Sequence, residues 1–334
     1  MSAGYDIDIG VVTWNTAELT VGALRRLLDT DQGCRFRLLV RDNGSTDGTA
    51  EAIRTGVPEA ELDADDRNLG FGAGMNRLIQ RGDSPWFLAL NPDAWPEPGA
   101  VGALLRASFE LTTTAAVAPR LERPDGSLEH STHPFPSVRM ALIHALGARH
   151  WMAPRQLERE MLEGFWDHDQ RRRVDWAVGA ALLMRRATLD EIGGFDPEYF
   201  MYAEDLDWCW RAHQAGWDVL FDPGAVFRHV GNASGVQAFG AARIELETAS
   251  LLHFYRRAHG PAAARVYRSV SAVACAEQWA AARLRRDHPA AERWSREARA
   301  MARGKGSLRP TSVLSGGEPG VGLRAGDAGP EPGR

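Results

Sequence analysis

The chain has 334 residues, 44% of them hydrophobic and 25% charged, with a net charge of −5. That balance excludes a disordered chain and gives no basis for a nucleic-acid binder, while the length allows one large domain or two unequal ones. Three scattered cysteines, without a CxxC pair or a disulfide ladder, suit a reducing compartment.

The first residues show no basic segment followed by an apolar one, and no run approaches the ~18 apolar residues of a membrane span. A cytoplasmic protein is expected. Ile7 to Thr13 alternates and is rich in β-branched residues, which predicts a strand ending in the loop Trp14-Asn-Thr16. Leu19 to Leu28 reads as an amphipathic helix, and Phe36 to Val40 as a short strand. Arg41-Asp-Asn-Gly-Ser-Thr-Asp-Gly48 is a dense turn signal, followed by a helix from about Thr49 to Arg54 with Asp47 as its cap. Glu61 to Asp65 is a weak edge strand, and Asn68-Leu-Gly-Phe-Gly-Ala-Gly74 leads into a helix through Ile79. Trp86 to Leu90 is the next strand and stops at Asn91-Pro-Asp93. Pro98 to Glu110 is predicted helical, and Ala115 to Ala118 a fifth strand.

Strands alternating with helices imply parallel pairing, and ligands of such sheets sit beyond the carboxyl ends of the strands. Thr13-Trp14-Asn15, Asp42-Asn43-Gly44 and Asn91-Pro92-Asp93 all fall at strand ends and should line one edge. The second half differs. Residues 119–173 have weak periodicity apart from a helical patch at Val138 to Leu146. Val174 to Met184 is an apolar run of one or two buried strands. Trp217 to Phe221 and Val226 to Val230 are two more. Between them Phe200-Met-Tyr-Ala-Glu-Asp-Leu-Asp-Trp-Cys-Trp-Arg211 begins a helix with an acidic first turn. Leu206, Cys209, Trp210 and His213 are expected as its buried stripe, leaving Asp205 and Trp208 together on another face. From Ala241 to Arg303 the chain is helical, with about twice as many arginines as acidic residues; after Gly304 it is Gly-, Pro- and Ser-rich, and disorder is expected.

Each motif has a bland reading beside a functional one. Asp42 to Gly48 is either an ordinary strand-to-helix turn or a place where Asp42 accepts hydrogen bonds from a ligand. Asn91-Pro-Asp93 either ends a strand or offers a carboxylate to a hard divalent cation. Gly70-Phe-Gly-Ala-Gly74 departs from G-x-G-x-x-G and does not follow the first strand, which disfavours a dinucleotide fold. His229 gains standing as a metal ligand only with Asp93 as a partner. Trp176, Trp208 and Trp210 are core residues or platforms for a sugar face.

Taken in order, these pieces resemble the family 2 inverting glycosyltransferases with the GT-A nucleotide-sugar fold, rhamnosyltransferase-type members above all. The matching residues are Val12-Thr-Trp-Asn15, Asp42 to Gly48, Asn68-Leu-Gly-Phe71 with Asn76, Asn91-Pro-Asp93, Gly179-Ala180, Gly193-Gly-Phe-Asp196, Glu204-Asp205 with Trp208 and Arg211, and His229. The resemblance implies an α/β fold with a mainly parallel central sheet flanked by helices and a C-terminal helical addition. It places a glycosyltransferase domain at 1–235 (donor half about 1–118, acceptor half about 119–235), a helical region at 236–303 and a tail at 304–334. It implies that Thr13, Asn15, Asp42, Asn68, Gly70, Asn91 and Asp93 bind the nucleotide sugar. Asp93 and His229 would hold Mg²⁺ or Mn²⁺, Asp205 would be the base, and Trp176, Glu204 and Trp208 would meet the acceptor. Asn91 replaces the first carboxylate of an Asp-x-Asp motif, which suggests a weaker metal site. The implied substrates are dTDP-rhamnose and a glycan or polyprenyl-linked acceptor; the Arg-rich C-terminal helices themselves read either as a solvated face or as a peripheral contact with an anionic membrane surface. The alternatives are a nucleotidyltransferase, disfavoured by Trp14-Asn-Thr-Ala-Glu18 where a basic phosphate loop belongs, and a non-catalytic carbohydrate- or nucleotide-binding relative.

Overall fold

The computed structural model describes residues 4–148, 152–153, 156, 166, 168–231 and 242–304. The expected disordered tail and the 235/236 domain boundary lie outside the described residues.

Strand β1 (Ile7–Thr13) is buried along its whole length, as a central strand covered on both faces must be. It pairs in parallel with β2 (Phe36–Asn43) and β4 (Trp86–Leu90), and β2 pairs with the edge strand β3 (Glu61–Asp65). The connecting helices are α1 (Ala17–Leu28), α2 (Thr49–Gly56) and α3 (Phe71–Arg81). Asp47 caps α2 as expected, its Oδ1 accepting from the Thr49 N–H at 3.0 Å. The register sets Thr13 beside Asp42, so the polar ends of β1 and β2 share one edge.

Beyond β4 the parallel pattern breaks. β11 (Ala181–Arg185) runs antiparallel between β4 and β6 (Thr114–Glu122). β12 (Asp218–His229) then runs parallel to β6, with β5 (Ala94–Pro96) antiparallel at its far end. The sheet order is β3-β2-β1-β4-β11-β6-β12-β5, and β7 (Leu128–Glu129) and β9 (Arg172–Val174) join β6 and β12. A separate pair couples β8 (Thr132–His133) to β10 (Trp176–Ala177). The two strands expected after Gly216 are one. Its register shifts between Asp222 and Val226, where Pro223 and Gly224 cannot keep a regular ladder.

Ile7, Ile9 and Val11 point into one apolar layer with Leu24 and Leu27 of α1, while Val12 and Leu39 point into the opposite one. This is the alternation a sheet covered on both faces needs. α4 (Ala100–Ser108) covers the first layer. α6 (Arg186–Ile192), unforeseen in the sequence, and α7 (Glu204–Gln214) cover the second. α5 (Val138–Ala145) packs on α8 (Arg243–Leu284), which is followed by α9 (His288–Arg303). α8 breaks at Gly260, whose φ of 83° and ψ of 167° are open to glycine alone, immediately before Pro261. Phe254, Tyr255 and Tyr267 of α8 bury against Tyr199 and Leu206, which fastens these helices to α7. No described helix is long and apolar enough to cross a membrane.

Candidate active site

The loops at the ends of β1 and β2 are stapled to each other. Asn15, held at φ 51°, donates its N–H to Ser45 Oγ at 2.8 Å, and its Oδ1 accepts from the Thr46 N–H at 2.7 Å. Asp42 is 3% exposed, and its carboxylate accepts from both the hydroxyl and the N–H of Ser45. Burial pushes the Asp42 carboxyl above its usual range, against these bonds. The Thr13 hydroxyl lies 2.8 Å from those of Thr16 and Thr20 and points at α1. Thr13, expected at the nucleotide, thereby ties the end of β1 to the helix that follows it.

Asn68 and Gly70 also have structural partners. Asn68 Oδ1 accepts from the Gly70 N–H at 2.9 Å, which forms a local turn. Gly70 sits at φ 85° against the backbone of Phe200, and a Cβ there would overlap the Phe200 carbonyl. That same carbonyl accepts from the Phe71 N–H at 2.9 Å. Gly70 thus lets the start of α3 approach the loop leading into α7, the close-packing use of a glycine at this position.

At the end of β4, Asn91 donates its N–H to the Ala180 carbonyl at 2.9 Å, which ties the β4 end to the segment entering β11. Asp93 is 2% exposed and its Oδ1 lies 3.4 Å from His229 Nε2. His229 Nδ1 lies 3.0 Å from Glu129 Oε2 on β7. Burial alone would lower the imidazole pKa, but hydrogen bonds to Asp93 and Glu129 overcome it and push it up to about 10. Asp93 and His229 Nε2 fit a divalent cation as two protein ligands, since carboxylate oxygen and imidazole nitrogen both suit such ions. Glu129 stands where an outer partner would fix the ring of His229 if that ring ligated a metal. Among the described residues no three side chains are arranged to hold a metal alone. Nothing in the sequence flagged Glu129: its strand has two residues and it lies 100 positions from His229.

The second focus is the start of α7. Tyr202 and Ala203 both sit in the left-handed region, at φ 69° and 64°, a strained entry that costs on the order of 1–3 kcal/mol per residue. The loop is held from outside, by the Phe71 N–H on one side and by Ser250 Oγ on the Met201 carbonyl at 3.1 Å on the other. Asp205, 8% exposed, accepts from the Gly179 N–H at 2.8 Å and the Leu206 N–H at 2.7 Å. Burial raises its pKa, while the two N–H groups and the charge of His133 pull it down. Glu204 is pushed up to about 8, by burial first and by Asp205 second, and its Oε2 is buried without a hydrogen bond. Both carboxyls are thus raised above their usual range by burial, and only Asp205 has two backbone donors to oppose it.

Around them the helix is framed rather than exposed. Trp208, expected at the acceptor, is fully buried in the second apolar layer and donates to the Gly193 carbonyl at 3.1 Å. Arg211 grips Asp207 at 2.8 Å and the carbonyls of Ile192 and Gly194 at 2.7 Å. Asn76 clamps both backbone groups of Phe195. Trp210 and His213 are only half-buried, contrary to the expected stripe, because burial extends from Glu204 through Cys209. Trp176 stacks on His133 with centroids 4.7 Å apart and donates to the Pro134 carbonyl at 3.0 Å. Both rings line an open cavity of about 520 Å³ that continues between α5, α8 and α9.

The structure therefore sets the Asp93–His229 pair at a strand edge and buries Asp205 at a helix start, on a mixed sheet. Residues 8–193, more than half of the chain, match the model of glycosyl transferase family 2. The chain belongs to that family. Residues 158–243 also match the model of glycosyl transferase family 21. The family 2 chain is 35% identical over 215 residues to an N-acetylglucosaminyl-diphospho-decaprenol L-rhamnosyltransferase of Mycobacterium tuberculosis, covering 59% of this chain and 68% of the relative. A pre-mycofactocin glycosyltransferase of the same organism is 27% identical over 228 residues, 67% of this chain and 42% of the relative. The fold is similar to a mannosyltransferase from Pyrobaculum calidifontis solved with GDP-Man and Mn²⁺, with a TM-score of 0.56, 16% identity, and coverage of 91% and 88% of the two chains. The protein is a glycosyltransferase of the GT-A fold, and the nucleotidyltransferase reading is set aside.

Proposed function

We propose that this glycosyltransferase moves L-rhamnose from dTDP-rhamnose to a sugar carried on a polyprenyl diphosphate, with inversion at the anomeric carbon. The observation that carries it is Asp205: a buried carboxylate at the start of α7 held by the Gly179 N–H, beside the buried carboxyl of Glu204. The choice of donor and lipid-linked acceptor rests on the similarity to the mycobacterial rhamnosyltransferase.

In this reading the acceptor hydroxyl lies against Asp205, which takes its proton as the oxygen attacks the anomeric carbon. The carbon–oxygen bond to the diphosphate breaks on the opposite face, and one displacement inverts the configuration. Asp93 and His229 would hold a divalent cation, Mg²⁺ or Mn²⁺, which when bound would supply Lewis-acid stabilisation of the charge left on the diphosphate. Trp176 and His133 border the acceptor side, where their cavity runs towards the C-terminal helices. On α8 the exposed Val266, Val273, Trp279 and Leu284 lie among arginines, a pattern suited to peripheral contact with an anionic membrane face.

The test is rhamnosyl transfer from dTDP-rhamnose to a polyprenyl-diphosphate N-acetylglucosamine, with the product anomer read by NMR. Asp205→Asn is expected to lower kcat by about 10²–10⁴-fold while dTDP binding persists. Near-normal turnover of the variant would remove Asp205 as base, and no product from any dTDP-sugar would remove the donor assignment.

A further inference from the structure

The break in α8 creates a second cavity, of about 540 Å³, between the two halves of that helix and the end of α9. Arg256, from before the break, and Arg265 and Arg268, from after it, line this cavity together with Arg303 at the end of α9. No ion pair or hydrogen bond among the described residues engages any of the four guanidiniums, whereas the neighbouring Arg257 is bound to Asp196 and Glu198. Glu245 is the one carboxylate in the lining. Gly304, in the left-handed conformation that ends α9, leaves room for Arg268: a Cβ there would overlap its guanidinium.

Arg256, Arg265 and Arg303 are exposed and Arg268 is half-buried, so water screens their mutual repulsion, and the concavity presents a local excess of positive charge to an anion. Guanidinium forks converging from different directions match the tetrahedral oxygens of phosphate, each bond being charge-assisted. The cavity belongs neither to the strand edge nor to Asp205, and its lining comes from α8, α9 and Gly304. His253 lines it, and its ring packs edge-on to Tyr199, 5.1 Å between centroids.

We infer that this cavity is a phosphate-binding site, separate from the donor site, which accepts a phosphate monoester, diphosphate or phosphodiester group through Arg256, Arg265, Arg268 and Arg303. The site does not depend on the identity of the donor sugar. Two sources present this chemistry: a phosphate free in solution, and the headgroup of an anionic lipid.

The experiment compares the full chain with Arg265→Gln/Arg268→Gln, both in chelator so that no cation-dependent diphosphate binding contributes. One arm titrates inorganic phosphate and pyrophosphate by calorimetry; the other measures sedimentation with phosphatidylglycerol/phosphatidylcholine vesicles against phosphatidylcholine alone. Circular dichroism checks that the helices persist. The double variant is expected to bind at least about tenfold more weakly in one arm. Loss in the calorimetric arm assigns a soluble phosphate, and loss confined to the vesicle arm assigns a lipid headgroup. Equal binding by both proteins in both arms, or no binding by either, overturns the site.

Discussion

The two carboxylates Asp42 and Asp205 are both buried at the edge of the same domain, and they are held in opposite ways. Asp42 is satisfied by a residue three positions on, within its own turn. Asp205 is held by Gly179, from a segment 26 residues away, on a loop braced by the donor half and by α8. The first arrangement forms wherever its short segment folds. The second exists only when three parts of the chain are assembled, and it carries the strained backbone and the perturbed protonation. Strain and desolvation belong where chemistry is done, and the surrounding structure must enforce them.

Gly70→Ala tests that dependence most severely. At φ 85° and ψ 171° an alanine is strained, and its Cβ would displace the Phe200 carbonyl that Phe71 binds. A shift of the loop before Asp205 by about 1 Å is expected to lower kcat/KM on the order of a hundredfold. Gly48→Ala is the control: its φ of 87° is equally unsuited to alanine, but nothing lies within 4 Å of the added carbon. It should lower the melting temperature through a cost of about 1 kcal/mol and leave kcat/KM unchanged. Equal kinetic losses in the two variants would show that the catalytic loop is not braced through Gly70.

Glu129→Gln probes the strand edge. The amide still reaches His229 Nδ1 but lacks the charge that orients and strengthens the imidazole, so affinity for Mn²⁺ should fall by about 10–100-fold. Electron paramagnetic resonance of free Mn²⁺ in the presence of dTDP reads this directly. Unchanged affinity would make Glu129 a structural partner only.

These contrasts also explain what the sequence made legible. β1, β4 and the helix starts rest on local patterning, β-branched runs and Asp47 before Thr49, and they stand within a few residues of expectation. The strands β5, β7, β8 and β10 have two or three residues each, too few for any period, and they exist through their partners. The antiparallel β11 is likewise fixed by its neighbours and not by its own apolar run. At the candidate site, the motif residues divide into two kinds. Asp93, His229 and Asp205 are gathered at buried polar centres. Trp208, Arg211, Asn76, Thr13 and Gly70 hold the frame, and a tryptophan buried in a frame looks the same in sequence as one offered to a sugar. Glu129 had no local signature at all, because its meaning comes entirely from a ring nitrogen on β12.

The smallest effect concerns Glu204, whose raised pKa of about 8 against an ordinary 4.5 makes it a proton reservoir beside Asp205. Between those two values the folded protein holds a proton that the unfolded chain has released. Unfolding therefore releases that proton, and stability falls as pH rises. The contribution is fully present below about pH 4.5 and is lost as pH passes through about 8. Glu204→Gln keeps the neutral shape and cannot ionise, so its urea midpoint should decline less than that of the native protein between pH 5 and 9. Activity should respond in the same window: with Glu204 neutral throughout, Asp205 no longer meets a second charge, and the alkaline limb of the kcat profile should flatten. Parallel stability profiles for the two proteins would show that Glu204 ionises normally.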